Sequence, residues 1–374
     1  MANTVFILGA GASKQAGVPL MTEFLDEAYS LWKRGKVKDA DTEFETVFDG
    51  ISLLQQVHSK SQLDIKNVES VFAAFEMAKT LRRFVEYTCD QIDSLVSAMP
   101  VVITRTIEET LTFKVERENS QSGPAILPPA PYYPFVSLIR DLATKAELRR
   151  KVAVLTFNYD LALDYSFQWT QLPVDYALDR KTTGDFFPLL KLHGSLNWAQ
   201  CEKCKKVVAK PLDTQLFFNC HQRMSVDNSD IERLRHDIYF CEFTHCDNPM
   251  SPKSFLVPPT WSKTEHHRMI APVWERAARE LAEAEDIIVI GFSLPPSDDF
   301  FRHLYALGTV GKVPLKRFWV CNPDTSGETE KRFRNLLGPG AEQRFEYIEE
   351  TFEYALPRLG KAFGINVPNR LNLK

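Results

Sequence analysis

Five short apolar runs, each ended by a glycine or a polar tip, recur along the 374 residues of the chain. They are TVFILG at 4–9, KVAVLTFNYD at 151–160, FFPLLKLHGS at 186–195, EDIIVIGFSL at 285–294 and LKRFWVCNPD at 315–324. Apolar runs of this length, without polar alternation, suit strands buried on both faces. Helical patterns fill intervals between them, at about Met21 to Trp32, 42–60, 65–115 and 265–283, and QRFEYIEE at 343–350 reads as a last strand. The alternation predicts an α/β fold built on a Rossmann-like, doubly wound, mostly parallel sheet. Ligands of such sheets bind beyond the C-terminal ends of the strands. The tips to inspect are therefore Gly9-Ala10-Gly11, Asn158-Tyr159-Asp160, His193-Gly194-Ser195, Gly291-Phe292-Ser293 and Asn322-Pro323-Asp324.

Two stretches interrupt the pattern. NVESVFAAFEMAKTLRRFVEYT carries apolar residues at three and four spacing, and the helical stretch around it is too long for a simple crossover. It predicts an inserted helical module. Residues 199–258 are polar and rich in cysteine. The chain thus divides into 1–41 as the start of the Rossmann-like domain, 42–118 as the helical module and 119–198 as the domain continued, with a Cys-bearing module over 199–258 and 259–374 completing the domain. SGPAILPPAPYYPF at 122–135 is expected to be a connector without regular structure, because of its prolines.

Composition removes several function classes. A net charge of -4 gives no global basic footprint, so direct nucleic-acid binding is disfavoured. No apolar run reaches the length needed to span a bilayer. The N-terminus lacks the pattern of a secretory signal, so a cytoplasmic chain is expected. Hydrophobic residues make up 44% of the sequence, enough for a sizeable core.

At the tips, each residue has a structural and a chemical reading. Gly9 and Gly11 suit a tight turn, and equally the close approach of backbone to a pyrophosphate, with Ser13 adding a hydroxyl. The position three after Gly11 is Lys14 rather than glycine, and no second strand ends in an acid about 20 residues on, which weakens a hydride-carrier site. Asn158 and Asp160 suit a helix cap or a ligand site. His193, at the end of an apolar strand, suits a satisfied core imidazole, or a group that binds a ribose hydroxyl or moves a proton. Glu69, Asp164 and Lys191 are less specific.

Seven cysteines are present, and five of them lie between 201 and 246. CEKC at 201–204 is a metal knuckle, followed by Cys220, His221, Cys241, His245 and Cys246. The simplest tetrahedral zinc set is Cys201, Cys204, Cys241 and Cys246, with Cys220 or His245 as replacements for one member. Four thiolates leave no open position for water, so the expected role is structural.

In order along the chain, these segments resemble the sirtuin-like family of NAD-binding proteins. GAGASKQAGVP looks like that family's GAGxSxxxGxP motif, NYD like its Asn-x-Asp, HGS like its catalytic His-Gly, and CEKC with the later pair like its zinc ribbon. GFSL and VCNPD look like its late ribose and adenine segments. The resemblance implies that Ala10, Gly11, Ala12 and Ser13 line the pyrophosphate and ribose of NAD. It implies that Asn158 and Asp160 hold the nicotinamide ribose and its water, that His193 is the general base, and that Gly291, Phe292, Ser293 and Asn322 hold the adenosine half. The catalytic set is then Asn158, Asp160 and His193.

The departures point to a branch. Deacylating sirtuins continue the glycine loop with Pro-Asp-Phe-Arg, whereas this chain continues Pro19-Leu20-Met21-Thr22. The long helical insertion, NVES at 67–70 and VPPTWSK at 257–263 look closer to the bacterial antiphage-defence branch. That resemblance implies hydrolysis of NAD to ADP-ribose and nicotinamide, a homo-oligomer, and a partner such as a HerA-type ATPase or an Argonaute-like protein. Protein-lysine deacylation and non-catalytic sensing of NAD or ADP-ribose are the alternatives.

Overall fold

The computed structural model describes residues 2–57, 63–116, 125–179, 184, 186–212, 231–232, 243–258, 264–311 and 313–367. The central sheet has seven strands: β1 Thr4–Leu8, β2 Val152–Thr156, β3 Val174–Asp175, β4 Phe187–Lys191, β5 Asp286–Ile290, β6 Arg317–Cys321 and β7 Phe345–Ile348. Their order is β7-β6-β5-β1-β2-β4-β3, and every neighbouring pair is parallel. All five apolar runs supply strands of this sheet.

The apolar runs are continuous because both faces are covered. Phe6 and Leu8 of β1 join one core, together with Val152, Val154, Ile288 and Ile290. Val5 and Ile7 join the other, with Ala153, Leu155, Ile287 and Val289. Side chains alternate between the faces of a strand, so one uninterrupted run feeds both cores.

The first face carries the helices α1 Phe24–Lys33, α2 Asp41–Val57, α3 Val68–Leu81, α4 Cys89–Thr110 and α5 Tyr132–Thr144. α4 starts at a capping box, in which Thr88 and Gln91 satisfy each other's backbone N–H groups. Its C-terminal end is docked on the glycine loop. Thr112 N–H donates to the carbonyl of Ala16 at 2.8 Å, and a Cβ on Gly17 (φ +97°) would lie 2.2 Å from the Thr110 carbonyl oxygen. The insertion therefore packs on the sheet domain and shares its core.

Two expectations need correction. The stretch 122–135 is not free of regular structure: Ala125–Leu127 pairs antiparallel with Phe113–Glu116, and α5 begins at Tyr132. Pro131 sits at the N-cap of α5, where a missing N–H costs little. The helical pattern at 265–283 is two helices, Thr264–Met269 and Ala271–Ala282. The break at Ile270 coincides with Pro272 near the start of the second.

A four-stranded antiparallel sheet follows β4 in the chain, in the order Thr244–His245, Asn248–Leu256, Gly194–Cys201, Val207–Ala209. No helix among the described residues is long and apolar enough to cross a membrane.

Candidate active site and candidate metal centre

The chain leaves β1 toward one side of the sheet and β5 toward the other, so the switch point lies between these two neighbours. Their tips touch backbone to backbone. Gly11 N–H donates to the carbonyl of Gly291 at 2.8 Å, and Gly9 N–H to that of Ile290 at 3.0 Å. Gly291 has φ +62°, and a Cβ there would stand 2.3 Å from Ala12 N. Only glycine permits this approach.

From β2, the Asn158 side chain reaches back to the first loop. Its Nδ2 donates to the Gly9 carbonyl at 2.9 Å and to Ser13 Oγ at 2.9 Å. Ser13 is fully buried; its hydroxyl donates to Asp160 Oδ2 at 2.7 Å and lies 2.7 Å from the Tyr132 hydroxyl. Asp160 Oδ1 accepts from Ala162 N–H at 3.0 Å, which starts the helix Ala162–Trp169. Burial raises the Asp160 carboxyl, and the Lys191 charge opposes that shift. Burial and then the Asp160 charge push the Tyr132 phenol up.

A buried ion pair holds this tip. Lys191 Nζ donates to the Asp160 backbone oxygen at 2.6 Å and to Asp164 Oδ2 at 2.8 Å, while Tyr176 donates to Asp164 Oδ1 at 2.6 Å. Lys191 and Asp164 thus support the loop from below.

A pocket opens here. Ser13, Asn158 and Asp160 form its polar side, with Ala10 next to them, and Val18, Met21, Val68, Ile103 and Ile107 its apolar side. The helical module therefore supplies one wall. NVES begins that wall: Asn67 accepts from Glu69 N–H at 2.8 Å and caps α3.

His193 stands one ring behind the pocket wall. Phe157 lines the pocket, and the His193 ring meets it edge-on with centroids 5.0 Å apart. Phe157 also stacks on Phe292 at 4.3 Å. His193 is buried, its Nε2 lies 3.5 Å from Asp298 Oδ1, and its ring is near-parallel to that of His267 at 6.2 Å. Val257 N–H donates to the His193 carbonyl, and the Val257 carbonyl accepts from the Tyr159 hydroxyl. Residues 259–263 of VPPTWSK lie outside the described residues. Burial, then the charges of Glu69 and Asp298, push the Tyr159 phenol up.

Apart from His193, which lies behind Phe157 and does not line the pocket with Asn158 and Asp160, the expected site residues fall into two joined groups. Ala10, Ser13, Asn158 and Asp160 share the pocket. Gly291, Phe292, Ser293 and Asn322 form the neighbouring tips, where Asn322 Nδ2 donates to the Phe292 carbonyl at 3.5 Å and Arg332 donates to the Ser293 carbonyl at 2.9 Å. Gly11 and Ala12 join the groups: Ala12 N–H donates to the Gly9 carbonyl at 2.9 Å. Sequence reasoning passed over Tyr132, Asp298 and His267. Asp298 carried one signal, its place just after the GFSL tip.

Cys201, Cys204, His245 and Cys246 bring their ligand atoms within 4.8 Å of one another. Cys241 and Cys220 lie outside the described residues. His245 is the replacement named from spacing. Its Nδ1 is 3.5 Å from Cys204 Sγ and 3.3 Å from Cys246 Sγ. The backbone N–H of Cys204, then His245, lowers the Cys201 thiol to about 6. Three thiols and one imidazole are the donors of a closed tetrahedral zinc site, and this set fits that ion.

No family model matches this chain, and no curated protein matches it. Among solved structures it is similar to Sir2Tm bound to a propionylated peptide, at 13% identity and a TM-score of 0.38, covering 97% of this chain and 94% of that one. It is also similar to a Sir2 homolog–NAD complex, at 13% identity and a TM-score of 0.37, covering 96% and 89%. A third is Sir2Af2 bound to a myristoylated histone peptide, at 12% identity and a TM-score of 0.30, covering 96% and 90%. The strand order of this chain is itself that of a doubly wound, Rossmann-like parallel sheet.

Proposed function

We propose that this chain cleaves the bond between nicotinamide and ribose in NAD, with water as the acceptor. The observation that supports this reading is the Asn158 amide, tied to Gly9 and Ser13 at the polar side of a pocket beside the switch point. With Nδ2 committed to the protein, Oδ1 is the atom that orients a water or a ribose hydroxyl.

In the proposed reaction the C1′–N1 bond breaks and its electron pair leaves with nicotinamide, which departs neutral. The sugar carbon becomes oxocarbenium-like, and the carboxylate of Asp160 places negative charge beside it. Water forms the new C1′–O bond and releases a proton; His193, which stands behind Phe157, is assigned as its acceptor from the resemblance of motifs. The products are ADP-ribose, nicotinamide and one proton. The apolar wall from α3 and α4 excludes bulk water and suits the flat, uncharged leaving group.

Cys201, Cys204, His245 and Cys246 would hold a structural zinc that staples the antiparallel sheet, the arrangement of a zinc ribbon. A defence role, a homo-oligomer and an ATPase or Argonaute-like partner belong to the same proposal and rest on the resemblance of motifs.

Incubation of the purified chain with NAD alone, followed by chromatography of ADP-ribose and nicotinamide, tests the reading. Release of both without peptide supports it. Consumption that strictly requires an acylated peptide, such as the propionylated or myristoylated peptides of the similar structures, moves the reading to acyl transfer. Tight NAD binding without turnover moves it to sensing.

A further inference from the structure

We propose that Asp298 is a positioning residue for His193, fixing its tautomer and orientation; as a role in turnover, this rests on the NAD-cleavage reading above. The Nε2 of His193 and Oδ1 of Asp298 are 3.5 Å apart, and the two side chains are 8% and 7% exposed. The next residue provides a contrast. Asp299 pairs with His303 at 3.2 Å, but those side chains are 74% and 66% exposed in the order His303, Asp299. Two consecutive carboxylates each meet an imidazole, one inside the protein and one in solvent.

Burying a carboxylate is costly unless a partner compensates it. The backbone spends further constraint to put Asp298 there. Pro295 and Pro296 precede it, Asp298 N–H donates to the Pro295 carbonyl at 3.0 Å, and the turn Pro296–Asp298 leads straight into the helix Asp299–Gly308. A short rigid turn is a way of holding a side chain at a set distance, and the His193 imidazole is a group it faces.

The chemistry follows from the two ring nitrogens. A carboxylate 3.5 Å from Nε2 favours the tautomer with the proton on that nitrogen. It also stabilises the imidazolium that forms when Nδ1 takes a proton. Phe157 fixes the ring edge-on from one side, and His267 lies near-parallel to it from another. Among the described residues, His267 and Tyr159 are the titratable groups in ring contact with His193, and Glu69 acts on Tyr159 from α3. Of these, Asp298 is the carboxylate at salt-bridge distance.

The test compares the full-length chain with Asp298→Asn, Asp298→Glu and the surface control Asp299→Asn. Two quantities are read: NAD consumption against pH, and the titration of the His193 ring by NMR, assigned through loss of its signal in His193→Gln. Asp298→Asn is expected to lower kcat at least about tenfold with little change in KM. It should lower the His193 midpoint by about one unit or more. Asp298→Glu recovers part of both, and Asp299→Asn changes neither. An Asp298→Asn chain with the wild-type pH profile, or with an unmoved His193 midpoint, overturns the proposal. If the wild-type chain consumes no NAD, the cleavage reading fails, and the NMR titration alone decides whether Asp298 controls His193.

Discussion

Lys191 and Asp164 form an ion pair at 2.8 Å in which both side chains are 1% exposed. The pair connects the end of β4 to the first helix after β2, and the same ammonium grips the backbone oxygen of Asp160. It therefore sets the height of the loop that carries Asn158.

Removing one partner leaves the other charge buried. Lys191→Met is expected to destabilise the chain by about 3–5 kcal/mol in chemical denaturation. The double change Lys191→Met with Asp164→Leu should recover part of that loss. Recovery of none would show that the ammonium acts mainly through the Asp160 carbonyl.

Asn158→Ala removes the amide that joins β2 to the glycine loop. NAD turnover is expected to fall at least about a hundredfold, while stability falls by about 1–3 kcal/mol from the lost buried hydrogen bonds. Kinetics and thermal melts on one preparation separate the two effects. Turnover that survives both Asn158→Ala and His193→Ala would place the reacting centre elsewhere.

Gly291→Ala meets two obstacles, a positive φ and the backbone of Ala12 at 2.3 Å. We expect a loss on the order of 3 kcal/mol or more, or failure to fold. Gly327→Ala is the matched control, because its φ of +79° is also positive but nothing lies within 4 Å of the new Cβ. That control should cost about 1 kcal/mol.

Asp324 supplies the pH dependence. The hydroxyls of Ser326 and Thr329, then the backbone N–H groups of both, hold its carboxyl well below the usual carboxylate range. A depressed folded-state value means that the ionised form stabilises the fold. That contribution is complete above the unfolded value of about 4 and is lost as the pH falls below it. Asp324→Ala should cost about 1 kcal/mol at neutral pH and flatten the acid limb of a stability curve.

The metal set predicts about one zinc per chain by elemental analysis. Cys204→Ser should lower that content and loosen the antiparallel sheet, read as faster hydrogen exchange over 194–209 and 243–256. Unchanged zinc content in that variant would remove Cys204 from the ligand set.

The sheet was legible because a strand buried on both faces has few ways to look. β1, β2, β5 and β6 each run through two cores without a polar break, and their tips were the residues that met. β3 escaped notice because two edge residues carry no period. The start of α5 was hidden by prolines, which read as breakers although a proline at a helix N-cap breaks nothing. In the metal centre, Cys241 of the expected second pair lies outside the described residues, and the hairpin Thr244–His245 with Asn248–Leu256 presents His245 and Cys246 to the CEKC knuckle. The one signal at Asp298, its place just after the GFSL tip, is weak, because a carboxylate seven residues past a glycine is ordinary until the imidazole near it is known.

The contact between Thr110 and Gly17 gives the insertion a mechanical meaning. α4 has 22 residues and so extends about 33 Å from the capping box at Thr88 to its seat on the glycine loop. Ile92, Leu95 and Met99 bind its distant half into the same core as Ile103 and Ile107, which face the pocket, so packing changed far from the glycine loop is felt at the pocket wall.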